Sequence, residues 1–200
     1  LKAKGLKIRG SNLCNEIYLP TAPDRTAVCC LSSLNVDLFD AWKDHPTFIA
    51  DCVEFLDNVL EYFIQNAPAT MGRAVYSARM ERSLGLGSMG WHSYLQRKMI
   101  PFESAVAIGQ TYKIAQHIHT QAIAASRTLA SVRGAPDDLK GTGQRNAHVI
   151  AIAPTATNSI ICNNVSPGGD PFYQNQYNHK TLSGSFKVRN PHLVALVGES

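Results

Sequence analysis

The run Ser11-Asn12-Leu13-Cys14-Asn15-Glu16-Ile17 sets an amide, a thiol and a carboxylate two residues apart, at Asn12, Cys14 and Glu16. Side chains at i, i+2 and i+4 of an extended segment share one face. The spacing therefore predicts an extended segment that turns a hydrogen-bonding group, a sulfur and an acid/base group toward one small substrate. A carboxylate within hydrogen-bond reach of a hydroxyl can take its proton. The plainer alternative is a strand end, with the cysteine packed as a small hydrophobe and Asn12 and Glu16 solvated.

A second candidate is Pro154-Thr155-Ala156-Thr157-Asn158-Ser159. The apolar run from Ala147 to Ala153 reads as a buried strand, and Pro154 ends it. Thr, Asn and Ser at a following helix start leave backbone N–H groups unpaired and aim the positive dipole end outward. That geometry binds phosphate without a lysine. The alternative is that Thr155 or Thr157 serves only as an N-cap. A third pattern, Gly85-Leu86-Gly87-Ser88-Met89-Gly90, fits GxGxxG, but the segment before it, Ala78 to Ser83, is charged and no βαβ unit follows. Close helix packing explains these glycines better; a nicotinamide dehydrogenase would need a strand ending at Ser83.

The elements that must position these groups read as mixed α/β. Ala27 to Val36 has strand composition, and Thr47 to Ile64 has helical apolar spacing with Pro46 as a first-turn proline. Ser88 to Met99 is read as a helix stopped before Pro101, and Ser104 to Val132 as a long helix closed by Gly134. A hairpin is expected around Ser183-Gly184 and a short apolar helix after Pro191. Cys52 is read as core packing, and His117 and His119, two apart on a helix, diverge and form no metal pair. The chain reads as one domain, with Lys2 to Arg9 as a basic strand or loop.

With 200 residues, 44% of them hydrophobic, the chain can bury a sizeable core. No apolar run approaches a membrane span and no secretory signal is visible. A formal net charge of +4 is mildly basic but scattered, so it favours an anionic small substrate over nucleic acid. The five cysteines, Cys14, Cys29, Cys30, Cys52 and Cys162, are odd in number and lack CxxC spacing. That disfavours a disulfide framework or structural zinc and suits a reducing compartment. Adjacent Cys29 and Cys30 point to opposite faces of a strand, so at most one of them faces the cavity of Cys14.

Taken in order along the chain, Ser11–Ile17, Ala27-Val28-Cys29 with Leu31-Ser32-Ser33-Leu34-Asn35, Arg82–Gly87 with Met89-Gly90, Arg145-Asn146, Ala153–Thr157 and Lys180–Phe186 resemble the large, catalytic subunit of ribonucleotide reductase. There Ser11–Ile17 matches a finger loop, Arg82–Gly90 a glycine-containing helix start, and Pro154–Asn158 a phosphate loop. The resemblance implies part of a ten-stranded α/β barrel with a central finger loop, residues 1–200 forming a partial catalytic barrel domain incomplete at both ends. It implies that Cys14 becomes the thiyl radical that abstracts the 3′ hydrogen, with Glu16 as base on the 3′ hydroxyl. Asn12 would bond the sugar hydroxyls and Cys29 would supply one of two reducing thiols. Ser11, Leu13 and Asn15 would border the substrate, while Pro154, Thr155, Ala156, Thr157 and Asn158 would hold its phosphates.

The second reducing cysteine and the effector region would lie upstream, and the radical-relay tyrosines and tail thiols beyond Ser200. Cys30 stands where the family often has another residue, and the Pro154 loop lacks an acidic residue that some members carry. The implied activity is reduction of ribonucleoside diphosphates to 2′-deoxyribonucleotides, with no cofactor in this chain. The radical would come from a metal-containing small subunit, or in related enzymes from adenosylcobalamin, and electrons from a thioredoxin- or glutaredoxin-type reductant. Implied partners are the remaining part of the large subunit and a second copy of it in a homodimer, in the cytoplasm, without nucleic acid or membrane. The rival reading is a non-catalytic piece that is structural, or binds nucleotide, until joined to the rest.

Overall fold

The computed structural model describes residues 5–198. Its elements, in chain order, are β1 (Cys30–Asn35), α1 (Phe39–Trp42), α2 (Phe48–Asn66), α3 (Gly72–Glu81), β2 (Leu84–Met89), α4 (Trp91–Arg97), α5 (Ala105–Arg133), α6 (Asn158–Ile161), β3 (Gln176–Thr181), β4 (Gly184–Arg189) and α7 (Pro191–Val197). Of the basic stretch Lys2 to Arg9, the first three residues lie outside the described residues. Within them Ile8 makes one antiparallel bridge, with Pro20. No helix among the described residues is long and apolar enough to cross a membrane.

Helical periodicity places the core. Ile49, Val53, Leu56, Asp57, Leu60 and Ile64 form the buried stripe of α2, and Ala107, Ile114, Ile118, Ala122, Ala125, Ser126 and Leu129 that of α5. Ser104 caps α5 by accepting a hydrogen bond from the Ala107 N–H at 3.1 Å, and Gly134, at φ +81°, closes it. The α2 helix starts at Phe48, which leaves Pro46 outside its first turn. Both helices share one apolar cluster with Leu34 and Val36 of the β1 region and with Leu84 and Leu86 of β2. His117 is half-buried midway along α5, edge-on to Phe39.

Strands β1 and β2 are parallel and paired in register from Cys30 with Leu84 to Asn35 with Met89. This corrects the expectation of a helix from Ser88 and of a glycine-containing helix start. Residues 84–89 are a strand buried along its whole length, as parallel strands covered on both faces are. Gly90, at φ +82°, breaks it and delays α4 to Trp91. Since α3 rather than a strand precedes it, the GxGxxG pattern does not sit on a dinucleotide-binding turn.

The run from Ala147 to Ala153 is extended and lies on the other edge of β2, where Leu84 N–H donates to His148 O and Leu86 N–H to Val149 O, both at 2.9 Å. It falls short of a regular ladder, so the predicted strand is present only as an irregular third edge. The hairpin pairs β3 and β4 antiparallel from Gln176 with Arg189 to Thr181 with Gly184, as expected.

One buried carboxylate ties these layers together. Asp57 of α2 is fully buried and accepts from Arg82 Nε at 2.9 Å, Arg145 Nε at 2.9 Å, Arg133 at 3.2 Å and the Asn146 side-chain amide at 3.1 Å. Arg82 closes α3 at φ +45°, a conformation costing a non-glycine residue about 1–2 kcal/mol; its bonds to Asp57 and Glu61 hold it there. Arg145 also donates to the Arg133 and Gly134 carbonyls at 3.1 and 2.8 Å, satisfying the end of α5. Burial alone would raise the Asp57 carboxyl, but the hydrogen bonds and charges of Arg82 and Arg145 outweigh it and hold it below its ordinary value.

Asp57→Ala strips four donors of their acceptor and is expected to lower the unfolding free energy by about 3–5 kcal/mol, read from the urea midpoint. The contribution of a carboxyl titrating below its unfolded value is present above the ordinary carboxylate range and lost as pH falls through the depressed value. The wild-type chain should therefore lose stability in acid by a component that Asp57→Ala lacks.

Candidate functional site

The Asn12–Glu16 segment is a turn, not an extended strand. Asn15 takes φ +60°, and its N–H donates to the Asn12 carbonyl at 3.3 Å. Asn12 closes the loop from both sides: its N–H donates to Ile17 O and its Oδ1 accepts from Ile17 N–H, each at 3.4 Å. Ser11 donates to the Asn15 side chain. The three groups therefore do not line one face, because the left-handed Asn15 reverses the chain between Cys14 and Glu16. Cys14 sits at the exposed tip beside Leu13, which is 97% exposed. Glu16 turns back toward the protein, and its Oε2 is buried with no hydrogen-bond partner among the described residues. With Asn12 Oδ1 occupied by the loop's own backbone, the amide of Asn12 offers a ligand its NH₂ donors.

Cys29 and Cys30 face opposite ways, as strand alternation requires. Cys30 packs against the large helical core, and Cys29 against the small cluster of Ile17, Leu19 and Ala151. Burial, followed by the neighbouring Cys30, Glu81 and Glu16, pushes the Cys29 thiol up to about 12. A cavity of about 510 Å³ has Ser11, Asn12, Thr26, Cys29 and Leu31 on its wall.

The Pro154 loop lines a second cavity of about 590 Å³, with Pro154, Thr155, Ala156, Thr157 and Asn158 facing Ser32 and Ser33. The helix that follows is a single turn, Asn158–Ile161, and Thr157 makes no side-chain cap. Thr155 is held at φ +49°, and its hydroxyl accepts from Gly168 N–H at 2.8 Å. The Ala156, Thr157 and Asn158 N–H groups find no acceptor among the described residues. Strain in a non-glycine residue beside a row of free donors is a pattern concentrated at ligand sites.

The structure thus brings Ser11, Asn12 and Cys29 to one cavity and the five loop residues to another, with Leu31 on the walls of both. Leu13, Cys14, Asn15 and Glu16 stand outside those walls. Sequence reasoning missed Leu31, Ser33 and the floor beneath them. Cys29, Leu31 and Ser33 alternate along one face of the β1 region, over Gly85 and Gly87 of β2. A Cβ on Gly85 would lie 2.3 Å from Leu31 Cδ2, 2.9 Å from Ala151 Cβ and 3.4 Å from Cys29 Sγ. A Cβ on Gly87 would lie 2.4 Å from Ala151 O. The signal was in the pattern: glycines two apart belong to one face of a strand.

The family model described as ribonucleotide reductase, barrel domain, matches residues 1–140 and 133–199. The ribonucleoside-diphosphate reductase large subunit of Invertebrate iridescent virus 3 is 50% identical over 198 residues, covering 99% of this chain and 31% of the viral protein. A putative ribonucleoside-diphosphate reductase large subunit of Frog virus 3 is 51% identical over 197 residues, 96% of this chain and 34% of its own length. The structure of the Actinobacillus ureae class Id ribonucleotide reductase alpha subunit superposes with a TM-score of 0.90 at 39% identity, covering 98% of this chain and 36% of that one. The chain spans about a third of the length of these relatives.

Gly85→Ala overpacks the floor under Leu31 and Cys29 and is expected to destabilise the chain by about 1–3 kcal/mol in denaturant unfolding. Gly109→Ala is the control: a Cβ there meets nothing within 4 Å on α5, so stability should rise by up to about 1 kcal/mol. Equal effects at the two positions would contradict the close packing of the strand face.

Proposed function

Because the chain belongs to the ribonucleotide reductase barrel-domain family, we propose that it forms part of the catalytic barrel of a ribonucleoside-diphosphate reductase large subunit, which reduces ribonucleotides to 2′-deoxyribonucleotides. The observation that carries this reading is the pair of cavities meeting at Leu31, one bordered by Asn12 and Cys29 and the other by free backbone N–H groups. Their contents suit the two ends of a nucleotide: a diphosphate on the Thr155–Asn158 amides and a ribose against the finger loop.

In this reading Cys14 carries the transient radical and takes the hydrogen atom from C3′. Glu16, whose buried Oε2 has no partner among the described residues, accepts the proton of the 3′ hydroxyl. The NH₂ of Asn12 donates to a sugar hydroxyl, while Ser11, Leu13 and Asn15 fix the loop that presents these groups. The 2′ hydroxyl leaves as water, and Cys29 with a second thiol supplies the two electrons and becomes a disulfide. The hydrogen atom then returns to C3′ and regenerates the Cys14 radical. A thiol held as SH at neutral pH, as Cys29 is, can give hydrogen to the substrate.

The radical is supplied by a separate metal-containing small subunit, and a thioredoxin- or glutaredoxin-type dithiol restores Cys29. The remaining part of the large subunit completes the barrel, and two such subunits pair in the cytoplasm.

In a complete large subunit carrying this segment, Cys14→Ser should abolish both 3′-hydrogen abstraction and deoxynucleotide formation, by about a thousandfold or more. Cys29→Ser should still release label from a 3′-tritiated ribonucleotide while losing clean product. Equal residual activity of the two variants in both assays would contradict the separate roles.

A further inference from the structure

A buried polar chain that these roles do not use runs beside Cys29. Glu81, the last residue of α3, is fully buried. Its Oε1 accepts from Ser77 at 2.9 Å and its Oε2 from Ser83 at 3.2 Å. The Ser83 hydroxyl, also fully buried, lies 3.2 Å from His148 Nδ1. His148 is only partly buried, so the chain runs from the solvent side to an acid in the interior.

Strand register sets this chain beside the thiol. One step outward from the first registered pair, Cys30 with Leu84, stand Cys29 and Ser83. Ser83 shares its face of the strand with Gly85, whose Cβ position lies 3.4 Å from Cys29 Sγ.

The surrounding charges leave Glu81 short of a counter-ion. Arg25 approaches its Oε1 only to 3.9 Å and is committed to Asp138, with which it pairs directly. The groups facing Glu81 are thus Arg25 before β1, Asp138 after α5, and Ser83, His148 and Cys29 on the strand side, with Glu16 beyond Cys29. Burial raises the Glu81 carboxyl, against the hydrogen bonds of Ser77 and Ser83 and the Arg25 charge, and Asp138 raises it further. Burial lowers His148.

Resting on the reading of Cys29 as a reducing thiol, we propose that Glu81 is the proton store for Cys29, delivering through Ser83 and refilled from water through His148. The step concerns re-reduction by an external dithiol. Its thiolate attacks the sulfur bonded to Cys29, a new S–S bond forms, and the bond to Cys29 breaks. The electron pair leaves with the Cys29 sulfur. That sulfur takes the Ser83 hydroxyl proton as Ser83 takes the proton of the Glu81 carboxyl. Glu81 is then reprotonated through Ser83 from His148 Nδ1 as the other ring nitrogen of His148 takes a proton from solvent. A thiol as reluctant to ionise as Cys29 is a poor leaving group, so an acid held beside it speeds the breaking of the bond.

The test uses the whole chain with its cysteines converted to mixed disulfides of 2-mercaptoethanol. Release by dithiothreitol is followed at each cysteine by peptide mass spectrometry between pH 6 and 9. Glu81→Gln and Ser83→Ala should each slow release at Cys29 by about tenfold or more at neutral pH and flatten its pH profile relative to the attacking thiolate, with exposed Cys14 unchanged. A merely structural role predicts the opposite, since a loosened site exposes Cys29 and speeds release. An unchanged or faster rate at Cys29 in either variant overturns the proposal. The exchange needs no nucleotide or radical, so this result stands apart from whether the complete subunit reduces ribonucleotides.

Discussion

Asp57 is the point on which the rest of the structure leans. It lies on the buried stripe of α2 and takes hydrogen bonds from the end of α3, the end of α5 and the segment that leads to the Pro154 loop. The cluster is balanced in charge: Asp57, Glu61 and Glu54 against Arg82, Arg133 and Arg145. A buried carboxylate is costly unless its partners are complete, and here each partner closes a different element. Arg82 starts β2 on its line and Arg145 with Asn146 starts the extended run beside it, so the relative position of the two cavities follows from one ion cluster.

Above that frame the strands work as a floor. Glycines on one face of β2 let Cys29, Leu31 and Ser33 sink close to the sheet, and the Asn12–Glu16 turn and the Pro154 loop border the two cavities that share Leu31. The opposite face carries Leu84 and Leu86 into the helical core. One strand therefore separates an apolar interior that stabilises the chain from a polar, cysteine-bearing surface suited to chemistry. The same division explains why Cys29 and Cys30, neighbours in sequence, have different surroundings.

Much of this was legible in the residues. The periodicity of α2 and α5, the start of α5 near Ser104, the stop at Gly134 and the hairpin at Ser183-Gly184 follow from local rules that tertiary contacts did not override. Alternation alone separated Cys29 from Cys30. The α3 helix escaped notice because its buried positions are Ser77, Ala78 and Glu81, which give no apolar period. The β2 strand was mistaken for a helix start because its glycines are selected by closeness to Leu31 and Ala151, a contact between segments far apart in sequence. Asn12, Cys14 and Glu16 were drawn as a line, whereas the segment turns, since the reversal rests on the backbone of Asn15. Asp57 could not be picked out as a hub, because nothing local marks one aspartate on an amphipathic helix as the acceptor of three distant arginines.

If the two cavities meeting at Leu31 form one ribonucleotide site, a single ligand must engage both. The most direct test of a single site is an NMR titration of the isotopically labelled chain with a ribonucleoside diphosphate. The backbone amides of Ala156, Thr157 and Asn158 and the side-chain amide of Asn12 should shift together and saturate with a single Kd. Shifts at the loop and at Asn12 with different saturation, or none at either at millimolar nucleotide, would contradict it.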